Sequence, residues 1–384
     1  MIRRKVLTLG IIFIMSIASI PALALETDQT VVGSYEENTI VNNNKDISTQ
    51  LISQAKNWLQ ENYEDFYDIR NINAHIVRIF NTAQKSRYTV SMMCETKYKY
   101  NSVEEIPFVQ GMLNECQKKT LSQREQNTLN NQIKQIAEDA SFGEYTQLCV
   151  DVVIEIDNTD TSAPWKMYYQ DGMDTTLHDI ETLKLDEQEL YNSGKQVANE
   201  ILARVSENIE AQAERGYSSY DRFAARDYAR QFSSNATGCD SCSGCGVLQD
   251  RSKWNTSQYP YFSVFKHNDC ADFVSQAMSV GGIPEKSGWY RTKNGASGTW
   301  TNSWTTVSSL KTYMTRSDHV YWDDSTFSAC NAGNILITNS GGHVVMVDFN
   351  DGTTHKFTGH TNDRKSYVFG NVSGYQYYVI NRNS

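Results

Sequence analysis

A β-hairpin near the C-terminus is the strongest fold signal in this 384-residue chain. Two stretches of β-branched and alternating residues, 343–349 and 353–360, flank Asn350-Asp351-Gly352. An Asp-Gly pair between such stretches is typical of a tight turn that joins antiparallel strands. A turn centred near residue 351 places residue 343 opposite about residue 359. The C-terminal part of the chain is therefore expected to contain an antiparallel sheet.

The hairpin is expected to bring two histidines together at one end of the ribbon. His343 follows two glycines, which let another group approach closely, and His360 is predicted to lie beside it. This arrangement suits His343 as a catalytic base that His360 holds in one tautomer. Asn362 or Asp363 could orient the base instead. A purely structural histidine on a strand is the alternative.

A helix with clear start and stop signals is predicted within residues 269–284. Its apolar face is formed by Phe273, Val274, Ala277 and Val280, and Gly281-Gly282 followed by Pro284 ends it. Cys270 lies in the first turn, where unpaired backbone N–H groups and the helix dipole stabilise a thiolate. The same N–H groups can bind the oxyanion of a tetrahedral intermediate. A half-cystine or a buried structural thiol is the alternative for Cys270.

The first 24 residues have the pattern of a Sec signal peptide. Arg3, Arg4 and Lys5 precede an apolar run from residue 6 to residue 20, and Ala22 and Ala24 form a small-residue cleavage site. The protein is therefore predicted to be exported and to be secreted or associated with the cell wall. An uncleaved N-terminal anchor is the alternative. No later segment has the ~18 apolar residues of a membrane span, so no transmembrane segment is expected after cleavage.

Composition divides the remaining chain into three parts. Residues 25–46 are polar and are predicted to be a flexible lead-in. Residues 47–215 are predicted to form an α+β domain of unknown role. Residues 216–384 are predicted to form the catalytic domain. In the first domain, strands are expected at 88–92 and 150–156, and helices at about 109–139 and 186–214. Five of the seven tryptophans lie beyond residue 250; Trp289, Trp300 and Trp304 could line a cleft or pack in the core.

The charge of the chain argues against nucleic acid as a partner. It has 45 acidic and 35 Lys and Arg residues, a formal net charge of −10. Phosphate binding needs a basic surface, which this balance does not provide.

The chain has eight cysteines, and an odd number, seven, remains when Cys270 is set aside as the candidate nucleophile. Cys239, Cys242 and Cys245 are spaced by two residues in a Gly- and Ser-rich loop. Three roles remain open for them: disulfides, which are favoured in an exported chain, a structural Zn²⁺ site, or an unpaired redox-sensitive loop. A zinc site would take Cys330 or a histidine as its fourth ligand. Two further expectations are that Cys94 and Cys149 could pair and that His267 is a surface residue.

Six ordered blocks resemble the bacterial putative amidase domain family over about residues 220–381. They are 220–229, 259–262, 269–284, 303–305, 342–344 and 359–361. The family is related to papain-like Cys/His amidohydrolases and peptidases. The resemblance implies an α+β domain in which a helix bearing Cys270 packs on an antiparallel sheet bearing His343. It further implies Cys270 as nucleophile, His343 as base and His360 as third member.

The activity that the resemblance implies is cysteine-dependent hydrolysis of peptidoglycan or another peptide amide, with no required cofactor. A non-catalytic wall-binding or adhesive protein on the same fold, or an acyl transferase that uses the same cysteine, are the alternatives. The sequence departs from the family pattern at Asp272, where relatives often have Asn, and at Gly333-Asn334, where a Gly-Asp pair is usual. A second carboxylate near the thiol is expected to raise its pKa.

Overall fold

The computed structural model describes residues 41–160, 162–170, 176–207, 220–243, 245, 247–259, 267–292, 299–316, 321–370 and 374–380. The predicted signal peptide, residues 25–40 of the lead-in and most of the 259–262 block lie outside these residues. The described residues belong to one compact unit, Glu37–Ser384.

Strands and helices occur in groups along the described residues, and the last six strands follow one another. The helices are α1 (Val41–Tyr63), α2 (Pro107–Lys118), α3 (Gln123–Ala140), α4 (Glu187–Glu207), α5 (Arg222–Gln231), α6 (Cys270–Val280), α7 (Asn302–Thr305) and α8 (Val307–Met314). The strands are β1 (Tyr67–Asn81), β2 (Lys85–Tyr98), β3 (Thr146–Asp157), β4 (Lys166–Gln170), β5 (His178–Asp179), β6 (Trp322–Ser325), β7 (Ile335–Thr338), β8 (Val344–Asn350), β9 (His355–Gly359), β10 (Arg364–Val368) and β11 (Tyr375–Ile380). None of these helices combines the length and the apolar sequence needed to cross a membrane.

The strands form one mixed sheet in the order β1-β2-β3-β10-β9-β8-β7-β11-β6, with β4 paired to β3 and β5 to β4. All neighbours are antiparallel except β3 and β10, which are parallel and meet where Tyr367 lies opposite Cys149. The predicted α+β class is confirmed. The strands of residues 47–215 join those of residues 216–384 in the same sheet, and the division into separate domains at residue 215 stays a prediction.

Strands β7 and β8 are buried on both faces. Val344 and Met346 of β8 pack in the same apolar cluster as α5, α6 and α8. Val345 and Val347 pack in the other cluster, which contains the core of residues 47–215. Because successive side chains of a strand point to opposite faces, β8 is the layer between the two clusters. The helix that begins with Cys270 lies on one face of it.

Two arginines anchor helix α5 through ion pairs. The Arg222 guanidinium, 2% exposed, donates to Asp139 Oδ1 of α3 at 2.6 Å and to Glu138 Oε2 at 2.8 Å. The other oxygen of Asp139 accepts from the backbone N–H of Asn350, at 3.1 Å. At the far end of α5, Arg230 pairs with buried Asp348 of β8. Ion pairs therefore connect α5 to both halves of the sequence.

Most predicted elements are confirmed, with two differences. Strands β2 and β3, helix α6 and the β8–β9 hairpin lie where the sequence places them. The single helix expected at 109–139 is wrong: α2 and α3 are separate, since Ser122 caps α3 in a reciprocal box with Glu125. The lead-in is shorter than expected because α1 begins at Val41. Helix α4 covers Glu187–Glu207 of the helix predicted at 186–214, and residues 208–214 lie outside the described part of the chain.

Candidate active site

Cys270 is the first residue of α6 and is 7% exposed. Burial raises the pKa of its thiol to about 11, and the carboxylate of Asp269 acts in the same direction. Backbone N–H groups of Val344, Ala271 and Cys270 itself form hydrogen bonds that favour the thiolate. The thiol is therefore neutral at rest, although the donors that stabilise its ionised form are already in place.

The start of β8 contacts this thiol. Val344, whose amide reaches the Cys270 sulfur, directly follows His343, which is 7% exposed. The backbone of His343 is fixed by Thr338 at the end of β7: its N–H donates to Thr338 Oγ1 at 3.0 Å, and its carbonyl accepts from the Thr338 N–H at 3.0 Å. The fold thus brings the first turn of α6 to the strand that His343 precedes.

His360 has partners other than His343. Its Nδ1 lies 2.6 Å from Asp269 Oδ2 and its Nε2 lies 2.7 Å from the carbonyl oxygen of Phe232. Both partners are acceptors, so both nitrogens donate and the ring is an imidazolium. The predicted hydrogen bond from His360 to His343 is therefore wrong. A catalytic role for His360 stays a prediction. In the structure its ring bonds to Asp269, the residue before Cys270.

The environment of His360 also favours its charged form. Burial lowers the pKa of the ring, but the hydrogen bond to Asp269 and the nearby carboxylate of Asp363 outweigh burial and raise it. The ring stacks between Phe273, at 3.8 Å between centroids, and Trp254, at 4.4 Å. Aromatic faces stabilise an adjacent cation.

Asn362 and Asp363, the other candidate orienting residues, bond to the loop that follows the cysteine cluster. Asn362 Oδ1 accepts from the Leu248 N–H at 3.1 Å. Asp363 Oδ2 accepts from the Asp250 N–H and from Trp254 Nε1, each at 2.9 Å. These contacts are structural, and they make the turn at 360–363 the point where several segments near α6 meet.

Asp272 does not act on the thiol as expected. Its carboxylate is buried against the guanidinium of Arg291 and accepts from Trp304 Nε1 at 2.6 Å. Burial raises the pKa of Asp272 itself, to about 7. The carboxylate that raises the pKa of Cys270 is that of Asp269. The departure from the family's Asn is therefore accommodated by Arg291.

The tryptophans expected in a cleft are mainly core residues. Trp289 and Trp304 are both 0% exposed and pack together with ring centroids 4.6 Å apart. Trp289 Nε1 also donates to Ser275 Oγ of α6, at 3.2 Å. Their role is to support the helix that begins with Cys270; Trp300 is half-buried.

Three of the cysteines lie together with a histidine. The ligand atoms of Cys239, Cys242, Cys245 and His267 all lie within 4.8 Å of one another. The cluster is compatible with a metal ion. His267, predicted to be a surface residue, is half-buried and belongs to this cluster. Cys330, the other candidate fourth ligand, is 1% exposed and contacts the carbonyl of Tyr378 instead.

The favoured disulfides are not formed among the described cysteines. All eight are thiols. Cys94 lies opposite Leu148 in the β2–β3 ladder, whereas Cys149 lies opposite Met93. Because residues opposite each other share a face and successive residues alternate, the two thiols point to opposite faces of the sheet. A bond between Cys94 and Cys149 is thereby excluded in this structure.

Sequence reasoning missed three residues that shape the site. Asp269 was noted only as a helix boundary, Thr338 was not considered, and Gln249 was not considered although it contacts His267 Nδ1 at 2.9 Å. His267, which Gln249 contacts, did offer a usable signal, because it lies three residues before Cys270 and 22 after Cys245. Thr338 lies only five residues before His343, and the two bond across the turn that joins β7 to β8. The contact of Gln249 joins residues 18 apart and depends on packing.

Residues 219–381 match the family model described as a putative amidase domain. The family suspected from the six sequence blocks is confirmed for this C-terminal region. The matched region contains Cys270, His343, the turn at 360–363 and the cysteine cluster. No curated protein and no solved structure was found to match the chain. The family description supports amide hydrolysis as the activity of this region.

Proposed function

We propose that the C-terminal region is a cysteine-dependent amide hydrolase with Cys270 as nucleophile and His343 as base. The observation that carries the proposal is the contact between the first turn of α6 and the start of β8. There Cys270 and Val344, the residue after His343, pack in the same buried cluster, and the backbone of Val344 lowers the pKa of the thiol. The Cys270 thiol is buried among apolar groups and lies near three backbone donors. Such donors can stabilise a negative charge that develops on the sulfur only during the reaction.

The reaction begins with a neutral thiol. Because the pKa of Cys270 is about 11, attack on a carbonyl carbon requires a base that takes the thiol proton as the C–S bond forms. His343 supplies this base, and its backbone is held by Thr338. The protonated imidazole then donates to the leaving nitrogen, which departs as an amine. Water hydrolyses the remaining thioester and restores the thiol.

Backbone N–H groups of the first turn of α6 would hold the oxyanion of the tetrahedral intermediate. The amides of Cys270 and Ala271 lie close enough to stabilise the thiolate, and the positive end of the α6 dipole acts in the same direction. Neither step needs a cofactor. Zinc is proposed below only as a structural ion at the cysteine cluster.

The proposed substrate is a peptide amide of peptidoglycan or a related peptide, and the proposed place of action is outside the cell. The resemblance to papain-like amidohydrolases supports the substrate class. The signal-peptide pattern of residues 1–24 supports export. The formal net charge of −10 disfavours nucleic acid as a target.

The test is digestion of purified peptidoglycan, with mass spectrometry of the released fragments. The wild-type protein should release fragments with new amine and carboxyl ends, and Cys270→Ala should lower the rate by at least about a thousandfold. Cys116→Ser, a half-buried cysteine of α2, is the control and should act like wild type. Cleavage that persists in Cys270→Ala would contradict the proposal. Added amines captured in the products would indicate acyl transfer instead of hydrolysis.

A non-catalytic wall-binding protein on the same fold is the second candidate. The burial of Cys270 and its pKa of about 11 favour it, because an inert structural thiol has the same properties. Binding of the wild type and of Cys270→Ala to peptidoglycan with equal affinity, and without fragment release by either, would support this candidate.

A further inference from the structure

We propose that Cys239, Cys242, Cys245 and His267 bind one Zn²⁺ ion, and that this ion fixes the segment that precedes Cys270. Three thiolates and one imidazole form one of the ligand sets of structural zinc sites, in which no position is left open for substrate. The proposal is independent of the hydrolase function, because it rests only on the cluster and its neighbours.

The spacing of the cluster fits tetrahedral zinc. The sulfurs of Cys239 and Cys242 lie 3.7 Å apart, and Cys242 Sγ lies 3.6 Å from His267 Nε2. Zn–S bonds of about 2.3 Å and Zn–N bonds of about 2.0–2.1 Å give tetrahedral edges of about 3.8 Å between two sulfurs and about 3.6 Å between sulfur and nitrogen. Two edges therefore have the length that one central ion requires.

Gln249 selects the nitrogen of His267 that binds the metal. Gln249 Oε1 lies 2.9 Å from His267 Nδ1, and an amide oxygen can only accept. The proton is therefore on Nδ1, and Nε2 presents its lone pair towards Cys242. Metal-bound histidines characteristically donate their other N–H to an oxygen in this way. Gln249 is 1% exposed and is held in a bridge with Cys239.

Asp240, the nearest carboxylate along the loop, is already engaged. It accepts from the backbone N–H of Arg251 at 2.8 Å and from the Arg251 guanidinium at 3.1 Å. It is therefore not available as a competing oxygen ligand. The site offers three soft sulfur donors and one imidazole, which favours zinc over magnesium or calcium.

The ion would connect two segments that both meet the turn at 360–363. On one side, the carbonyl of Leu248 accepts from the Asp363 N–H at 2.7 Å. On the other, Thr361 Oγ1 donates to the carbonyl of His267 and accepts from the N–H of Asp269, each at 2.8 Å. Asp269 directly precedes Cys270. A bond from zinc to His267 thus restrains the start of α6 through two hydrogen bonds.

The first test is the metal content of the full chain, purified without chelator and measured by elemental mass spectrometry. The wild type and Cys116→Ser should each hold about one zinc per chain, and Cys242→Ser should lose most of it. Exchange of zinc for Co²⁺ in the wild type should give the visible and thiolate charge-transfer bands of a tetrahedral sulfur-rich site. Cys270→Ala should keep its zinc, so failure of the hydrolase proposal and failure of this one are distinguishable.

The second test measures the coupling to Cys270. Removal of zinc from the wild type by a chelator should increase the rate of Cys270 alkylation by iodoacetamide several-fold, because the helix start loses its restraint. Wild-type protein that holds no zinc after equilibration with it, or whose three loop cysteines are joined in disulfides, would overturn the zinc site. Unchanged labelling after zinc removal would overturn the coupling.

Discussion

The groups around Cys270 have opposing effects on the pKa of its thiol. Burial and the Asp269 carboxylate raise its pKa, and backbone donors lower it. Asp269 is itself balanced by His360, whose imidazolium lies 2.6 Å away. A loss of the His360 charge would leave the Asp269 carboxylate without its partner beside the nucleophile. The protonation of His360 is therefore relevant to both stability and reactivity.

The His360–Asp269 pair predicts a pH-dependent stability. The folded-state pKa of His360 is raised, so its contribution is fully present below the unfolded value of about 6.5 and is lost as the pH rises through the folded value. The difference in the free energy of unfolding between wild type and His360→Gln should be largest at low pH and should shrink as the pH rises. Chemical denaturation over a series of pH values measures it.

His355 provides the control for this experiment. It is buried, and burial lowers its pKa to about 3, so it is neutral from about pH 5 upwards. In the unfolded chain His355 gains a proton below about pH 6.5, so its contribution to the free energy of unfolding should be constant well above that pH and should decrease as the pH falls below it. The pH dependence of His355→Phe is therefore opposite to that expected for His360→Gln. If the effect of His360→Gln also shrinks towards low pH, His360 is neutral in the folded state and the ion pair is not formed.

The sequence located Cys270 and the hairpin, but it could not locate the partner of His360. Counting outwards from Asp351-Gly352 placed residue 343 opposite about 359. In the structure the turn is centred later, because Asn350 lies opposite His355, and beyond a bulge between Val347 and Phe349 the residue Met346 lies opposite Thr358. Continuing this register places His360 opposite Val344, and its ring points to α6. The later centre of the turn, which the bulge only partly offsets, thus accounts for the difference from the predicted register.

At the scale of elements, α5 is the part that connects the two halves of the sequence. Its N-terminal arginine, Arg222, is 2% exposed and is held by Asp139, 0% exposed in its side chain. A buried pair of this kind is costly to break because the remaining charge has no compensation. The sequence shows the helix and its Asp221 cap, but its partner on α3 lies more than 80 residues away.

Arg222→Ala should therefore destabilise the protein by about 3–5 kcal/mol, measured by chemical denaturation. Arg226→Ala on the same helix is the matched control, since its partner Asp227 is 61% exposed and such pairs contribute about 0–1 kcal/mol. Equal effects of the two substitutions would show that the buried pair does not anchor α5.

The break between α2 and α3 was readable from the sequence. Ser122 and Glu125 form a capping box, and the Ser-x-x-Glu pattern marks a helix start. Hydrophobic spacing alone gave one long helix because the apolar positions continue across the break. Helix boundaries are therefore better predicted from capping residues than from periodicity in this part of the chain.

At the scale of the whole molecule, the two halves share one sheet. Leu336, Val345, Val347 and Phe357 of the C-terminal region pack in the apolar cluster that contains the core of residues 47–215. Composition predicted a boundary at residue 215, but composition carries no information about the parallel pairing of β3 with β10. Such pairings join residues far apart in sequence and are not specified by local patterns.

Residues 216–384 expressed alone should consequently fold poorly. Removal of the first half exposes the apolar face of β8 and β9, and the fragment should bind a hydrophobic dye and lack the near-ultraviolet circular dichroism of the full chain. A fragment that unfolds cooperatively and has the near-ultraviolet spectrum of a packed core would show instead that the C-terminal region is an independent domain.

The most direct test of the central claim is the rate of Cys270 alkylation by iodoacetamide against pH. The label is located by mass spectrometry in the wild type and in His343→Ala. Cys330 is the internal reference, because it is also buried, 1% exposed, and burial raises the pKa of its thiol to about 12. The account predicts that Cys270 reacts faster than Cys330 near neutral pH and that His343→Ala slows Cys270 alone. A Cys270 that reacts no faster than Cys330, and that is unaffected by His343→Ala, would contradict the proposed pair.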